Sequence, residues 1–121
     1  MPTLISCPTF KDPRGHLTVI DRLLPFEIKR VFYIYNANLD RGGHRHHKTI
    51  QALICVAGQC EVFIDNGQSE AVFTLDSPDK CLIVQPEDWH IMRAFSLDAV
   101  LLVLASESFD ADDYIDERPI R

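Results

Sequence analysis

The chain has 121 residues, 46% of them hydrophobic and 25% charged, with a formal net charge of −6. That composition fits one ordinary globular domain over 1–121 with enough apolar material for one core. The acidic balance argues against a nucleic-acid polymer or an anionic membrane as partner, while leaving room for a small nucleotide ligand held by one or two local cations.

In chain order, Thr9 to His16 contains Pro13 and Gly15 and reads as a turn. Leu17 to Ile20 reads as a short strand, and Leu23 to Glu27 as a connection carrying Pro25. Ile28 to Tyr35 is dense in β-branched and aromatic residues and reads as a strand. Asn36 to Asp40 is a loop. Arg41-Gly42-Gly43-His44-Arg45-His46-His47-Lys48 follows and holds three of the five histidines. If Arg45 to Ile50 is extended, alternation puts His44, His46 and Lys48 on one face.

Gln51 to Val56 and Cys60 to Ile64 read as a hairpin around Ala57-Gly58-Gln59, and Asp65-Asn66-Gly67 is a strong hairpin signal before a strand over Glu70 to Leu75. Asp76 to Asp79 is a turn, Cys81 to Val84 a buried strand, and Gln85 to Asp88 a turn. Trp89 to Phe95 is a strand, Ser96 to Asp98 a turn, and Ala99 to Ala105 the most apolar run in the chain. The tail Asp110 to Ile115 suits a short helix or a segment lying over a sheet, with Asp110, Asp112 and Asp113 as solvated acids. Short, evenly spaced strands with almost no helical period predict an all-β sandwich or barrel.

No run approaches the roughly 20 apolar residues of a membrane span, and the first residues show no basic stretch leading into an apolar one. No membrane partner and a cytoplasmic location are the expectation. Cys7, Cys55, Cys60 and Cys81 form no CxxC pair and are expected as free, mostly buried thiols.

Two chemistries compete for His44 and His46. As metal ligands they would be joined by His90, after Pro86, and by a carboxylate a few residues downstream. That last position holds Gln51, a neutral and weaker donor. As acid–base groups they titrate near neutrality and can divide proton transfer between carbon and oxygen. Tyr33, Tyr35 or Arg41 could then stabilise a developing oxyanion. Arg14, in a glycine turn beside His16, suits a diphosphate. Trp89 suits a pocket wall or a core anchor. Arg93, three residues after His90, faces the other side of its strand unless a bulge intervenes.

Several spaced motifs resemble the cupin-type sugar-nucleotide 3,4-ketoisomerases: Arg41 to Lys48 with Gln51, Val56 to Cys60, Asp65-Asn66-Gly67, Leu75 to Pro78, Trp89-His90, Asp98-Ala99-Val100, Leu104-Ala105-Ser106 and Asp113-Tyr114-Ile115. The resemblance implies a double-stranded β-helix (a cupin jelly-roll barrel), usually a homodimer, working without metal or other cofactor. It implies a dTDP-linked 4-keto-6-deoxyglucose substrate converted to a 3-keto sugar. The family's catalytic histidines fall on His44 and His46, and its pocket tyrosine on Tyr33 or a neighbour, with Phe32 where some relatives have a second tyrosine. His46 would remove the C3 proton and His44 would assist between the oxygens, with Tyr33 or Arg41 holding the oxyanion. Arg14, His16, Gln51, His90 and Arg93 would contact substrate. The competing functions are a metal-dependent cupin such as a dioxygenase, an epimerase of the same fold, and a non-catalytic sugar-nucleotide-binding cupin.

Overall fold

The computed structural model describes residues 2–120. Among these described residues, twelve strands and one short 3-10 helix (Ala111–Asp113) follow one another, and no helix is long and apolar enough to cross a membrane. The strands are β1 (Thr3–Ser6), β2 (Thr9–Asp12), β3 (Gly15–Thr18), β4 (Arg30–Tyr35), β5 (Arg41–His46) and β6 (Gln51–Ala57). They continue as β7 (Cys60–Asp65), β8 (Glu70–Leu75), β9 (Lys80–Val84), β10 (Trp89–Arg93), β11 (Val100–Ala105) and β12 (Tyr114–Ile115).

Two five-stranded antiparallel sheets face each other, in the orders β1-β9-β6-β11-β4 and β12-β5-β10-β7-β8, and β2-β3 stands apart as a two-stranded ribbon. This is the jelly-roll barrel of a double-stranded β-helix. Alternation sends Leu53, Cys55, Leu82, Val84, Leu101 and Val103 of the first sheet inward against Cys60, Val62, Ile64, Leu75 and Met92 of the second. Each fully buried side chain of this kind contributes about 1.5–3 kcal/mol relative to exposure. The outer face of the first sheet is apolar too. Ala52, Ile54, Cys81, Ile83 and Leu104 there are covered by Ile20, Leu23, Leu24 and Phe26. That second layer explains why β6, β9 and β11 read as nearly unbroken apolar runs instead of alternating ones.

Several local expectations change. Thr9 to His16 is a hairpin, β2 and β3 turning at Pro13-Arg14, rather than one long turn. Gln51–Ala57 and Cys60–Asp65 do not pair with each other: β6 is already flanked by β9 and β11, so it offers no free edge, and β7 joins the opposite sheet. The turn between them therefore crosses between the sheets. Gly58 makes it possible, with φ of +65° and a position where a Cβ would lie 2.8 Å from the Cα of Ala99. The Asn-Gly signal holds: β7 and β8 form a hairpin, closed by bonds from Gly67 N to Asp65 Oδ1 and from Ser69 N to Asn66 Oδ1, both 2.9 Å. The tail makes the short helical turn expected of it and then, instead of lying over a sheet, adds an edge strand to β5. All four cysteines are free and buried.

Candidate active site

The histidine strand begins earlier than the alternation argument assumed. β5 starts at Arg41 and ends at His46, and the chain turns at His47-Lys48, so Lys48 leaves the face that His44 and His46 share. β5 pairs with β10, with His44 opposite His90, Gly42 opposite Ile91 and Arg41 opposite Met92. Gly43 is the extra residue of a bulge, with φ of +80°. Gly42, at φ +94°, passes so near β10 that a Cβ there would stand 2.8 Å from the carbonyl oxygen of His90. Two glycines thus let β5 bend onto β10, and the bend brings the imidazoles together.

Three rings meet inside the barrel. The centroid of His44 is 5.1 Å from that of His46 and 5.1 Å from that of His90, and His46 and His90 are 6.1 Å apart. His46 and His90 are buried. His90 Nδ1 lies 3.0 Å from the Asp88 carbonyl oxygen, which fixes the ring. The Nε2 atoms of His46 and His90 have no hydrogen-bond partner among the described residues. Buried polar atoms are rarely left so unless something binds there.

Burial sets the charge state of the cluster. It pushes His46 down to about 4, helped by neighbouring His44 and by Arg30 and opposed by Asp113. It pushes His90 to about 4 as well, partly offset by the bond to Asp88. His44 is lowered by burial against the opposing charge of Asp116. All three are therefore neutral near pH 7, the form in which an imidazole accepts a proton.

A cavity of about 160 Å³ opens beside the cluster, lined by His44, His90, Gln51, Arg41, Gly42 and Tyr114 together with Phe32, Ile34, Met92 and Val103. His46 contributes no wall; it packs behind against the rings of His44, His90 and Tyr114. The volume suits one hexose ring, since pockets for drug-sized ligands start near 300 Å³. Whatever is attached to the ring must lie outside, on the side of exposed Arg41.

The remaining predicted residues divide clearly. Gln51, His90 and Arg41 join His44 at the cavity. Tyr33 does not: alternation along β4 turns Phe32 and Ile34 inward, and Tyr33 stands 62% exposed on the outer face beside Tyr35. Arg93 lies outside the barrel as well, because the bulge falls on β5 and leaves the alternation of β10 intact. It pairs with Glu61 at 3.2 Å and covers the ring of Phe63. Arg14 and His16 sit on the β2–β3 ribbon around a separate cavity of about 330 Å³, with Arg14 ion-paired to Asp12 at 2.7 Å. Trp89, opposite in facing to His90, joins neither the core clusters nor the cavity wall. Its indole donates to the Asp116 carbonyl at 3.0 Å and lies under Arg118, clamping the tail.

That tail carries what the sequence reading missed. β12 lies along β5 with Tyr114 opposite His46, and its ring centroid is 4.8 Å from that of His44 and 4.7 Å from that of His46. Asp113 is buried rather than a solvated acid. It accepts from Thr49 Oγ1 and from Lys48 N, and its carbonyl accepts from His47 N at 2.9 Å. Burial, the largest single influence, raises this carboxyl, but the hydrogen bonds from Thr49 and Lys48 together with neighbouring His46 outweigh it and hold it below its usual range. The Asp-Tyr-Ile motif near the end was the available signal.

No group of three or more His, Cys, Asp or Glu among the described residues is arranged to hold a metal ion. The position where an acidic ligand would complete such a set is Gln51.

The family model described as FdtA (WxcM-like, C-terminal) matches residues 1–119. The chain belongs to this FdtA family. A TDP-4-oxo-6-deoxy-α-D-glucose-3,4-oxoisomerase from Aneurinibacillus thermoaerophilus is 45% identical over 108 residues, covering 86% of this chain and 78% of its own. A 3,4-ketoisomerase from Helicobacter canadensis superposes with a TM-score of 0.91 at 35% identity, over 96% of this chain and 90% of that one. The sugar 3,4-ketoisomerase QdtA from Thermoanaerobacterium thermosaccharolyticum, solved in complex with TDP, superposes with a TM-score of 0.92 at 38% identity, over 96% of this chain and 88% of that one. The FdtA fold, the barrel-lining histidines and the near-complete coverage therefore agree.

Proposed function

We propose that this protein is a dTDP-sugar 3,4-ketoisomerase, a single catalytic domain over residues 1–121 that converts dTDP-4-keto-6-deoxyglucose to a dTDP-3-keto-6-deoxyhexose. The observation that carries the reading is the cluster of three neutral imidazoles, buried His46 and His90 with half-buried His44, beside a hexose-sized cavity that His44 and His90 line, with two ring nitrogens unpartnered among the described residues. The activities of the family relatives support it.

The C4 ketone acidifies the hydrogen on C3. His44, the imidazole of the pair that stands on the cavity wall, takes that proton in place of His46, giving an enediol, and returns a proton to C4, which leaves the ketone at C3. A base of low basicity is workable here because the adjacent carbonyl shares the developing charge with fixed donors. His46, 5.1 Å away, supports that ring from behind, and Arg41 at the cavity mouth faces the charge that develops at the oxygens. Gln51 and His90 contact the ring. The chemistry draws on the protein's own side chains alone and requires no cofactor.

The chain works as a homodimer in this reading. Edge strand β4 presents Val31, Tyr33 and Tyr35 to solvent, and the isolated β2–β3 ribbon presents Phe10 and Leu17 side by side. A lone two-stranded ribbon is marginal in water and gains by docking. Arg14 and His16, remote from the cavity of their own chain, then serve the substrate diphosphate on a second chain.

Incubation of the purified protein with dTDP-4-keto-6-deoxyglucose tests the activity. The ¹³C spectrum should show the carbonyl moving from C4 to C3; a carbonyl that stays at C4 throughout would reject the reading. Light scattering tests the dimer, with a mass of one chain as the opposing result.

A further inference from the structure

The sugar that enters the cavity carries oxygen almost all the way round. C2 and C3 of 4-keto-6-deoxyglucose bear hydroxyls, C4 a carbonyl and C1 the nucleotide. Its one hydrocarbon corner is the methyl group on C5. We propose that Ile34, Met92 and Val103, with Phe32, seat that C6 methyl group and make the site select a 6-deoxy sugar; this rests on the ketoisomerase reading.

The polarity of the wall changes along the strands. On β10 the inward positions are His90 and then Met92, and on β5 they are His44 and then Gly42. On β4 they are Phe32 and then Ile34, whose partners on β11 are Val103 and Leu101. A step of two residues is about 6.5–7 Å. Within that step two imidazoles give way to a thioether and a bare backbone. Buried Met92 turns its terminal methyl toward Gly42: a Cβ on the glycine would stand 3.3 Å from Met92 Cε. Ile34, Met92 and Val103 all belong to the apolar cluster that fills the other half of the barrel, and Phe32 packs against it. At this end the core itself floors the cavity. In the opposite direction Gln51 aligns with Ala105 and Tyr114 with His46, so the remaining polar lining lies beyond the imidazoles. Apart from Arg41 at the mouth, the methyl end offers carbon and one sulfur.

The reaction fixes which corner of the sugar meets this end. C3 and C4 must stand at His44, and C1 must point to the mouth, outside which the nucleotide lies. C5 adjoins C4, so its substituent falls within one inward step of the imidazoles, at Ile34, Met92 and Val103. A hydroxyl on C6 would there lose its water and be left without an equivalent partner. A methyl group covers apolar surface instead. A hydrophobic pocket of this kind rejects an added hydroxyl by up to about a hundredfold.

The pair dTDP-6-deoxyglucose and dTDP-glucose tests the assignment, because neither carries a ketone and they differ only at O6. Titration calorimetry with the full chain should give the 6-deoxy ligand an affinity at least about tenfold higher. Met92→Gln keeps the length of the side chain and adds an amide with which O6 can pair, so the ratio should shrink by at least about fivefold. Val103→Thr, of the same shape, should move the ratio in the same direction, and it stands in if Met92→Gln does not fold. The ratio is read within one variant, so damage to packing, which weakens both ligands alike, leaves it unchanged. A wild-type ratio below about threefold, or variants that lower both affinities in equal proportion, would overturn the inference. A ketone of dTDP-4-keto-6-deoxyglucose that never moves would instead reject the ketoisomerase reading itself.

Discussion

The two halves of the barrel interior obey the same alternation and differ in what fills it. In one half Val62, Ile64, Leu75, Leu82 and Leu101 close against one another without exposure. In the other, His44, His46, His90, Gln51 and Tyr114 occupy equivalent inward positions and leave a cavity. The apolar half satisfies itself. The polar half leaves two ring nitrogens without partners among the described residues, and β-bulge, glycines and tail strap all serve to bring those rings together. Inwardness is a property of the strand period; whether an inward position is core or site depends on whether its neighbours can answer its hydrogen-bonding groups.

Perturbing each half in turn sharpens that contrast. The largest effect is expected in the polar half. His44→Asn should lower kcat/KM by about a thousandfold or more with folding retained, measured by the rate of carbonyl movement in NMR. In the apolar half Leu101→Ala should cost about 2–5 kcal/mol in urea unfolding while the folded fraction keeps its kcat. An equal loss of activity in both variants would erase the distinction.

Acid should weaken the polar half first. His46 and His90 are held at about 4, below the ordinary imidazole value of 6.5. Between those values the unfolded chain binds protons that the folded chain does not, so stability falls as pH drops through that window and is level above it. The slope is at most about 1.4 kcal/mol per pH unit for each group. Urea midpoints from about pH 7.5 to 5 check this, and a flat profile would mean the rings are solvated. The smallest effect is expected from Tyr33→Phe, because Tyr33 stands outside the barrel: kcat should change by less than about twofold.

Much of this was legible before any coordinates. The His-x-His spacing placed two imidazoles on one face, Asn66-Gly67 placed a hairpin, and the regular short strands gave the all-β class. Tyr33 was harder because β4 is apolar on both faces, so its period says which residues share a side but not which side faces in. The supposed β6–β7 hairpin was misread for a related reason. A strand with both edges taken looks in sequence like one with an edge to spare. Tyr114 and Asp113 lie in a tail whose acids suggested solvent, and only the β12–β5 pairing brings them to the histidines. Long-range pairing of that sort leaves little periodic trace.

The most direct measurement of the central claim is turnover of dTDP-4-keto-6-deoxyglucose in deuterated water by wild type and His44→Asn side by side, followed by NMR. The account predicts a C3 ketone from the wild type and neither product nor exchange with the variant. Undiminished turnover by the variant would contradict it.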